Sequence, residues 1–422
     1  MKALIITYYW PPSGGSGVQR WLKFVKYLQD FDIEPVVYTI DNPKYPILDD
    51  TLVYEVPKNI EIVKQPIWEP NNFLSFFKKE KSQSAGFLNP NPTFFGKILH
   101  YIRANYFIPD ARIFWVKPSV AFLEDYIQKN KIEVVITTGP PHSLHLIGLH
   151  LKEKLNIKWI SDFRDPWTAI DYFHQLPLTK KSKATHFRLE KEVLEKSDAV
   201  IVVGPTMKEN YLKFNKNIHV ITNGFDADLI EKKEVVLDNC FSMTHIGLMN
   251  SDRNPTLLWS VLAEICEENT AFKKDLKIHL IGKVAEDVKK ELQIFDKNTI
   301  ELIDYLPHSE VRKYQQKSQI LLLIVNNVPS AKGIITGKIF EYLEAKRPIL
   351  AIAPVDGDAA AIINTTNAGF VIDFNDASKL KRVILSNYTA FKKQDLRVDS
   401  KNIDQYHRKQ LTQKLATIIK TI

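Results

Sequence analysis

Short runs dominated by Val, Ile and Leu, separated by stretches of helical periodicity, restrict this chain to parallel sheets covered on both faces. In the first half the runs are Ala3–Tyr9, Pro35–Ile40, Ile60–Lys64, Glu133–Thr138, Lys158–Asp162, Ala199–Val203 and His219–Ile221. In the second they are Ser242–Ile246, Lys277–Ile281, Thr299–Leu302, Ile320–Val325, Pro348–Ala353 and Gly369–Ile372. A strand solvated on one face would alternate apolar and polar residues, whereas near-continuous apolar strands are buried on both. Between them, Val18, Leu22, Val25 and Leu28 lie on one stripe of a helix over 18–29. A chain of 422 residues is too long for one ordinary core. The expectation is therefore α/β: two doubly wound, Rossmann-like domains facing across a cleft. The first should span 1–230 and the second 231–400, divided in the charged stretch Glu231–Asn239. A closing helix over 401–422 carries Leu411, Leu415, Ile418 and Ile419 in helical register.

Bulk chemistry narrows the partners. A hydrophobic fraction of 45% suits a packed interior, and a net charge of +8 favours anionic ligands. Two cysteines, Cys240 and Cys266, cannot make a disulfide framework and match no zinc or redox spacing, so both read as small buried hydrophobes. The start, Met1-Lys2-Ala3-Leu4-Ile5-Ile6, is too short for a signal peptide and reads as a strand. No run reaches the roughly 20 apolar residues of a membrane span. A cytoplasmic protein is expected, either free or peripheral on the inner face of a membrane.

Three strand-to-helix junctions carry a cation where the helix dipole disfavours one by a few tenths of a kcal/mol. They are Gly14-Gly15-Ser16-Gly17-Val18-Gln19-Arg20, Asn250-Ser251-Asp252-Arg253-Asn254-Pro255, and Gly333-Ile334-Ile335-Thr336-Gly337-Lys338. An anion filling the gap would account for all three. At the first, Gly15 and Gly17 permit close backbone approach of a phosphate or substrate. A flexible turn and a dinucleotide fingerprint are the alternatives, although Arg20 stands at the third glycine position of that fingerprint. At the second, Asn254-Pro255 reads as a cap and first turn, leaving Arg253 to lean over the helix start. At the third, Lys338 and Glu341 share one helical face, able to hold a phosphate and ribose hydroxyls; an ordinary ion pair is the alternative.

Weaker candidates follow other strands. His142, in Gly139-Pro140-Pro141-His142-Ser143, could contact a sugar or simply pack, and Arg164 could face the ligand. Asp226-Ala227-Asp228 and Asp356-Gly357-Asp358 read Asp-x-Asp, but two-residue matches are common and no metal is expected. Between the third and fourth strands, the irregular insert Trp68–Trp115 mixes Phe73, Phe76, Phe77 and Tyr101 with Lys78, Lys79, Lys81 and Lys97. It suits either contact with anionic lipid or a lid over an acceptor. No nucleic-acid-binding pattern accompanies it.

Taken together, Tyr9-Trp10-Pro11-Pro12 with its glycine loop, Trp159-Ile160-Ser161-Asp162-Phe163-Arg164-Asp165-Pro166-Trp167, Asn223-Gly224-Phe225-Asp226 and Gly337-Lys338-Ile339-Phe340-Glu341-Tyr342-Leu343 resemble bacterial family 4 glycosyltransferases over essentially the whole chain. The resemblance implies the GT-B fold and transfer from a nucleotide-sugar to a glycan or lipid-linked acceptor in surface polysaccharide synthesis. It also implies retention at the anomeric carbon, no metal and no other cofactor. Arg253 and Lys338 would neutralise the departing diphosphate, assisted by Gly337, while Gly15 and Gly17 admit substrate. Glu341 resembles the second of the family's paired glutamates, which holds the donor ribose. Eight places earlier stands Gly333, so the first glutamate is missing. Arg20, His142 and Arg164 remain for acceptor or sugar. A nucleotide-sugar epimerase on the same scaffold and a degenerate transferase acting as a binding subunit are the alternatives.

Overall fold

The computed structural model describes residues 1–41, 43, 45, 47–68, 94–226, 235–304 and 306–422. They form two compact units, Met1–Asn223 with Arg408–Ile422, and Gly224–His407. The expected boundary at 230/231 lies outside the described residues, as do Phe73, Phe76, Phe77, Lys78, Lys79 and Lys81 of the insert.

The first unit is built on β1 (Lys2–Ile6), β2 (Glu34–Ile40), β3 (Glu61–Gln65), β4 (Val134–Gly139), β5 (Lys158–Phe163), β6 (Ala199–Val202) and β7 (Ile218–Val220). Their spatial order is β3-β2-β1-β4-β5-β6-β7, and every pairing is parallel. Successive side chains of a strand point to opposite faces, so each strand feeds two cores. Leu4, Val135 and Trp159 join one, while Ala3, Ile5, Ile136 and Ile160 join the other. Helix Ser16–Leu28 lays Val18, Leu22, Val25 and Leu28 on the second face, all buried as their spacing predicts. Helix Arg408–Thr421 packs there too, burying Leu411, Leu415, Ile418 and Ile419. Removing each such aliphatic side chain from water contributes roughly 1.5–3 kcal/mol.

The second unit repeats the scheme with β8 (Phe241–Ile246), β9 (Leu276–Ile281), β10 (Ile300–Ile303), β11 (Ile320–Ile324), β12 (Ile349–Ile352) and β13 (Gly369–Ile372). The order is β10-β9-β8-β11-β12-β13, again all parallel. In both sheets the strand order reverses beside the first strand, at β1/β4 and at β8/β11. Helices leave in opposite directions there, so a crevice opens beyond the carboxyl ends of those two strands.

Four expectations change. The insert is not irregular throughout: helix Phe94–Tyr106 occupies part of it. Helix Ile113–Asn130 takes Trp115, which is buried and stacks on Tyr38 at 5.0 Å, so the end of the insert is core rather than lid. Asn254 does not cap helix Thr256–Glu268. Its amide oxygen accepts the Trp259 indole N–H at 2.9 Å, helix Thr256–Glu268 starts after it, and Arg253 stands in a separate 3-10 turn, Ser251–Arg253. Both cysteines are free and only partly buried.

Candidate functional site

In the second unit the site forms where β8 and β11 part. Directly after β8 stands Gly247, whose φ of +101° is rarely adopted by residues with a side chain. A Cβ there would stand 2.7 Å from both Cε and Nζ of Lys338, so the glycine also leaves room for that side chain. Helix Lys338–Ala345 brings the lysine in, and Tyr342 anchors the helix across the reversal. The Tyr342 hydroxyl accepts the Ile246 backbone N–H at 3.3 Å and donates to the Leu322 carbonyl at 3.4 Å.

Arg253 arrives from the loop after β8. Its Nε donates to Asn326 Oδ1 and its Nη1 to the Leu248 carbonyl, both at 2.9 Å, so the guanidinium spans the loops after β8 and β11. Lys338 feels it. Burial and the neighbouring Arg253 charge lower the ammonium's pKa to about 7, against the opposing pull of Glu341. Beneath them His245 is buried and held neutral, by desolvation first and then by Lys338 and Arg253. Glu341 lies one helical turn beyond Lys338, and its Oε2 accepts from Gln315 Nε2 at 2.7 Å. Two cations crowded at a strand end, with an oriented carboxylate nearby, make a receptor for an anion that also bears hydroxyls.

In the first unit the corresponding strand ends gather Gly15, Gly17, Arg164 and His142. Gly15 has a φ of +106° and open space on its side-chain face. Over Gly17 lies the Arg164 guanidinium: an added Cβ would fall 1.6 Å from its Nη1. Arg164 Nη2 donates to the Pro140 carbonyl, and its backbone N–H to the Gly139 carbonyl at 3.0 Å. His142 stacks on Trp167, with centroids 5.1 Å apart and planes 4° from parallel. Burial, together with His145, Arg164 and His186, keeps its pKa well below the ordinary value.

Arg20 is the correction among the named residues. It is 3% exposed, and its Nη2 donates to Asp162 Oδ1 at 2.9 Å while Nη1 donates to the Thr222 carbonyl at 2.7 Å. Asp162 Oδ2 accepts Trp21 Nε1 at 2.7 Å and the Thr138 hydroxyl at 2.9 Å. The helix places Arg20 on its inner face, where a buried carboxylate neutralises it, so it braces the glycine loop instead of meeting a ligand. Arg253 and Lys338 do come together, as do Gly17, Arg164 and His142. Gly337 caps helix Lys338–Ala345 with an ordinary φ of −57°, so its backbone does not require glycine.

Sequence reasoning passes over four residues. Gly247 carries a usable signal, a glycine directly after a strand, the same cue that draws attention to Gly15. Asn326, Gln315 and Asp162 carry none, because each acts through a partner distant in sequence.

Residues 84–229 match the model of Glycosyltransferase Family 4. No curated protein matches the chain. Among solved structures, a glycosyltransferase from Rickettsia africae is 16% identical at a TM-score of 0.60, covering 100% of this chain and 99% of that one. An E. coli protein described as trehalose-6-phosphate bound with UDP-2-fluoro glucose is 11% identical at a TM-score of 0.64, with coverage of 100% and 99%. The UDP-GlcNAc 2-epimerase of Methanocaldococcus jannaschii is 14% identical at a TM-score of 0.54, with coverage of 100% and 99%. The two parallel-sheet α/β units belong to the fold these proteins share.

Proposed function

We propose that this glycosyltransferase, family 4 by its matched segment and GT-B by its fold, moves a sugar from a nucleoside diphosphate donor to a glycan or lipid-linked acceptor during surface polysaccharide synthesis. One observation carries the reading: Arg253 and Lys338 stand together at the β8/β11 reversal with Glu341 one helical turn away. The two cations match a diphosphate, and the carboxylate can accept from both hydroxyls of a ribose. As the bond to the sugar breaks, negative charge grows on the departing phosphate, and fixed cations already aimed at it lower the barrier. Such a site needs no metal. Transfer with retention fits a departing phosphate that takes the acceptor's proton on the same face.

Calorimetry with uridine and guanosine diphosphates tests the donor site. The wild type should bind one of them, and Glu341→Ala should weaken that binding about 10- to 100-fold, the loss of hydrogen bonds to a charged acceptor. Unchanged affinity would remove the ribose role. A degenerate, binding-only subunit would bind without turnover, while failure to bind either nucleotide would sink the donor site itself. The archaeal epimerase among the structural neighbours favours a second reading, isomerisation of the donor. Product analysis separates the two, because transfer needs an acceptor and an epimerase does not.

A lipid-borne acceptor would place the enzyme at a membrane surface. Among the described residues no helix is long and apolar enough to cross a membrane. Helix Phe94–Tyr106 instead exposes Ile98, Tyr101, Ile102 and Tyr106 at 39–74%. At about 100° per residue, Ile98, Tyr101 and Ile102 form one stripe, with Lys97 on its flank and Arg103 on the far side of the helix. The helix holds no acidic residue. An exposed apolar stripe bordered by Lys97, on a helix whose only charges are basic, fits the headgroup boundary of an anionic bilayer. Vesicles of phosphatidylcholine with phosphatidylglycerol should sediment the protein, and the double variant Ile98→Asp, Ile102→Asp should bind at least about tenfold less. Equal binding by the variant would refute membrane contact through this helix.

A further inference from the structure

The second unit carries a cavity at the end of its sheet opposite the donor site. It has a volume of about 340 Å³ and lies between the residues leading into β8 and β11 and the end of helix Ala377–Lys392. β8 is six residues long, so about 20 Å of strand separates the cavity from Gly247. Leu237, Leu396 and Phe391 make its apolar wall. The Phe391 ring is fixed from behind, with centroids 5.5 Å from Phe241 and 6.2 Å from Tyr388. Asp238, Asn239 and Gln394 supply the polar lining.

This polar lining lacks hydrogen bonds rather than counter-charges. Asp238 Oδ2 is buried with no hydrogen bond in the protein. Oδ1 stands 3.9 Å from Lys317 Nζ, near enough to balance the charge and too far for a hydrogen bond. Arg347 adds a second balancing cation: burial lowers its pKa against the pull of Asp238. Its own donors are taken, since Nε and Nη2 reach the carbonyls of Ser318, Gln319 and Leu396. Gln319 fixes the loop by donating from Nε2 to the Asp238 carbonyl at 2.7 Å. Among the described residues the side-chain amides of Asn239 and Gln394 make no hydrogen bond. Lys392 also lines the cavity, but its Nζ donates to Asp275 Oδ2 at 2.9 Å, so that charge is paired.

A fitting ligand brings hydroxyls, not charge. A side-chain amide both donates and accepts, as a hydroxyl does, and a carboxylate accepts from one. A phosphate or carboxylate would meet no unpaired cation and would face Asp238. An amine would meet a carboxylate whose charge is already balanced. We propose that this cavity binds a neutral saccharide, with the apolar face of a sugar ring on Phe391 and its hydroxyls on Asp238, Asn239 and Gln394. Its volume and its mixture of apolar wall and few polar groups are those of a small-ligand site. The site does not rest on the transferase reading; under that reading its ligand is a sugar of the glycan being extended.

Saturation-transfer NMR of the full chain with glucose, galactose, N-acetylglucosamine and N-acetylgalactosamine tests the proposal without any nucleotide. At least one should bind, with a Kd of about 1 mM or weaker, as suits a ligand of few atoms. The corresponding amino sugars and uronic acids add one charge to the same rings and should bind no tighter. Gln394 has a φ of +56°, which glycine adopts freely, so Gln394→Gly should melt no lower than the wild type. It should weaken sugar binding at least about fivefold, the loss of one hydrogen-bonding group. Asn239→Trp, at an exposed position, should fill the cavity and abolish binding. Binding by none of the neutral sugars would overturn the proposal, as would binding that survives both variants. An amino sugar or uronic acid bound about tenfold tighter than its neutral counterpart would overturn it too. None of these readouts involves the donor, so the saccharide site can fail while transfer stands, and the reverse.

Discussion

Lys338→Met should abolish most of the transfer activity while making the protein more heat-stable near neutral pH. The two effects share one cause. In the folded protein the ammonium sits half-buried against Arg253, and these lower its pKa from an ordinary 10.5 to about 7. Between those values the unfolded chain binds more protons than the native one, so stability rises with pH across that window. Below about pH 7 the lysine is charged in both states and the cost of holding it beside Arg253 is fully present. Methionine has similar length and no charge, so it removes that cost and should raise the melting temperature. Activity should move the other way, by roughly 10²–10³-fold in kcat, the usual effect of losing one preorganised group facing developing charge.

A bound diphosphate restores the missing counter-charge and raises the lysine's pKa again. Wild-type binding should therefore be flat in pH below about 7 and weaken by up to about tenfold per pH unit above it, with a proton taken up on binding. Titrations at about pH 8 in two buffers of different ionisation enthalpy measure that proton, and Lys338→Met should abolish its uptake. A variant with wild-type kcat, or one that melts below the wild type, would remove Lys338 from diphosphate stabilisation.

Asp162→Asn should destabilise the first unit by about 3–5 kcal/mol, because it leaves the Arg20 charge buried without its partner. Side-chain exposure at this pair is 2% for Arg20 and 0% for Asp162, so water cannot replace the lost carboxylate. Asparagine can still accept from Trp21 and Thr138 through its one carbonyl oxygen, which isolates the charge from the other bonds. Adding Arg20→Met should recover most of the loss, since an apolar pair of similar volume is often neutral against a buried ion pair. Urea unfolding of the two variants measures both steps. A single variant within about 1 kcal/mol of wild type would show that the buried pair contributes no more than a solvent-exposed one.

Much of the fold is legible in the chain because its signals are local. Each apolar run expected to be a strand is one, with ends displaced by few residues. Ala3–Tyr9 stops at Ile6, for instance, where the Thr7 hydroxyl turns to the Tyr9 carbonyl and the chain enters Trp10-Pro11-Pro12. The stripe Val18, Leu22, Val25, Leu28 and the stripe Leu411, Leu415, Ile418, Ile419 are both buried as their periodicity requires. Spacing alone marks Lys338 and Glu341, and the helix holds them on one face as a period of about 3.6 demands. The same reasoning marks Arg20, which behaves otherwise. A cation near the start of a helix looks the same in sequence whether it meets a ligand or a buried carboxylate.

The alternation of strand and helix, the buried helix faces and the placing of a cation after three strands were thus decided by the sequence, since apolar period and backbone permissiveness act over a few residues. Which cations meet was decided only in three dimensions. Arg20 finds Asp162 across 142 positions, and Arg253 finds Asn326 across 73. Pairings of that reach depend on where the sheet order reverses, and the energy that separates a neutralised charge from one held ready for an anion comes from burial and neighbours that no local pattern records.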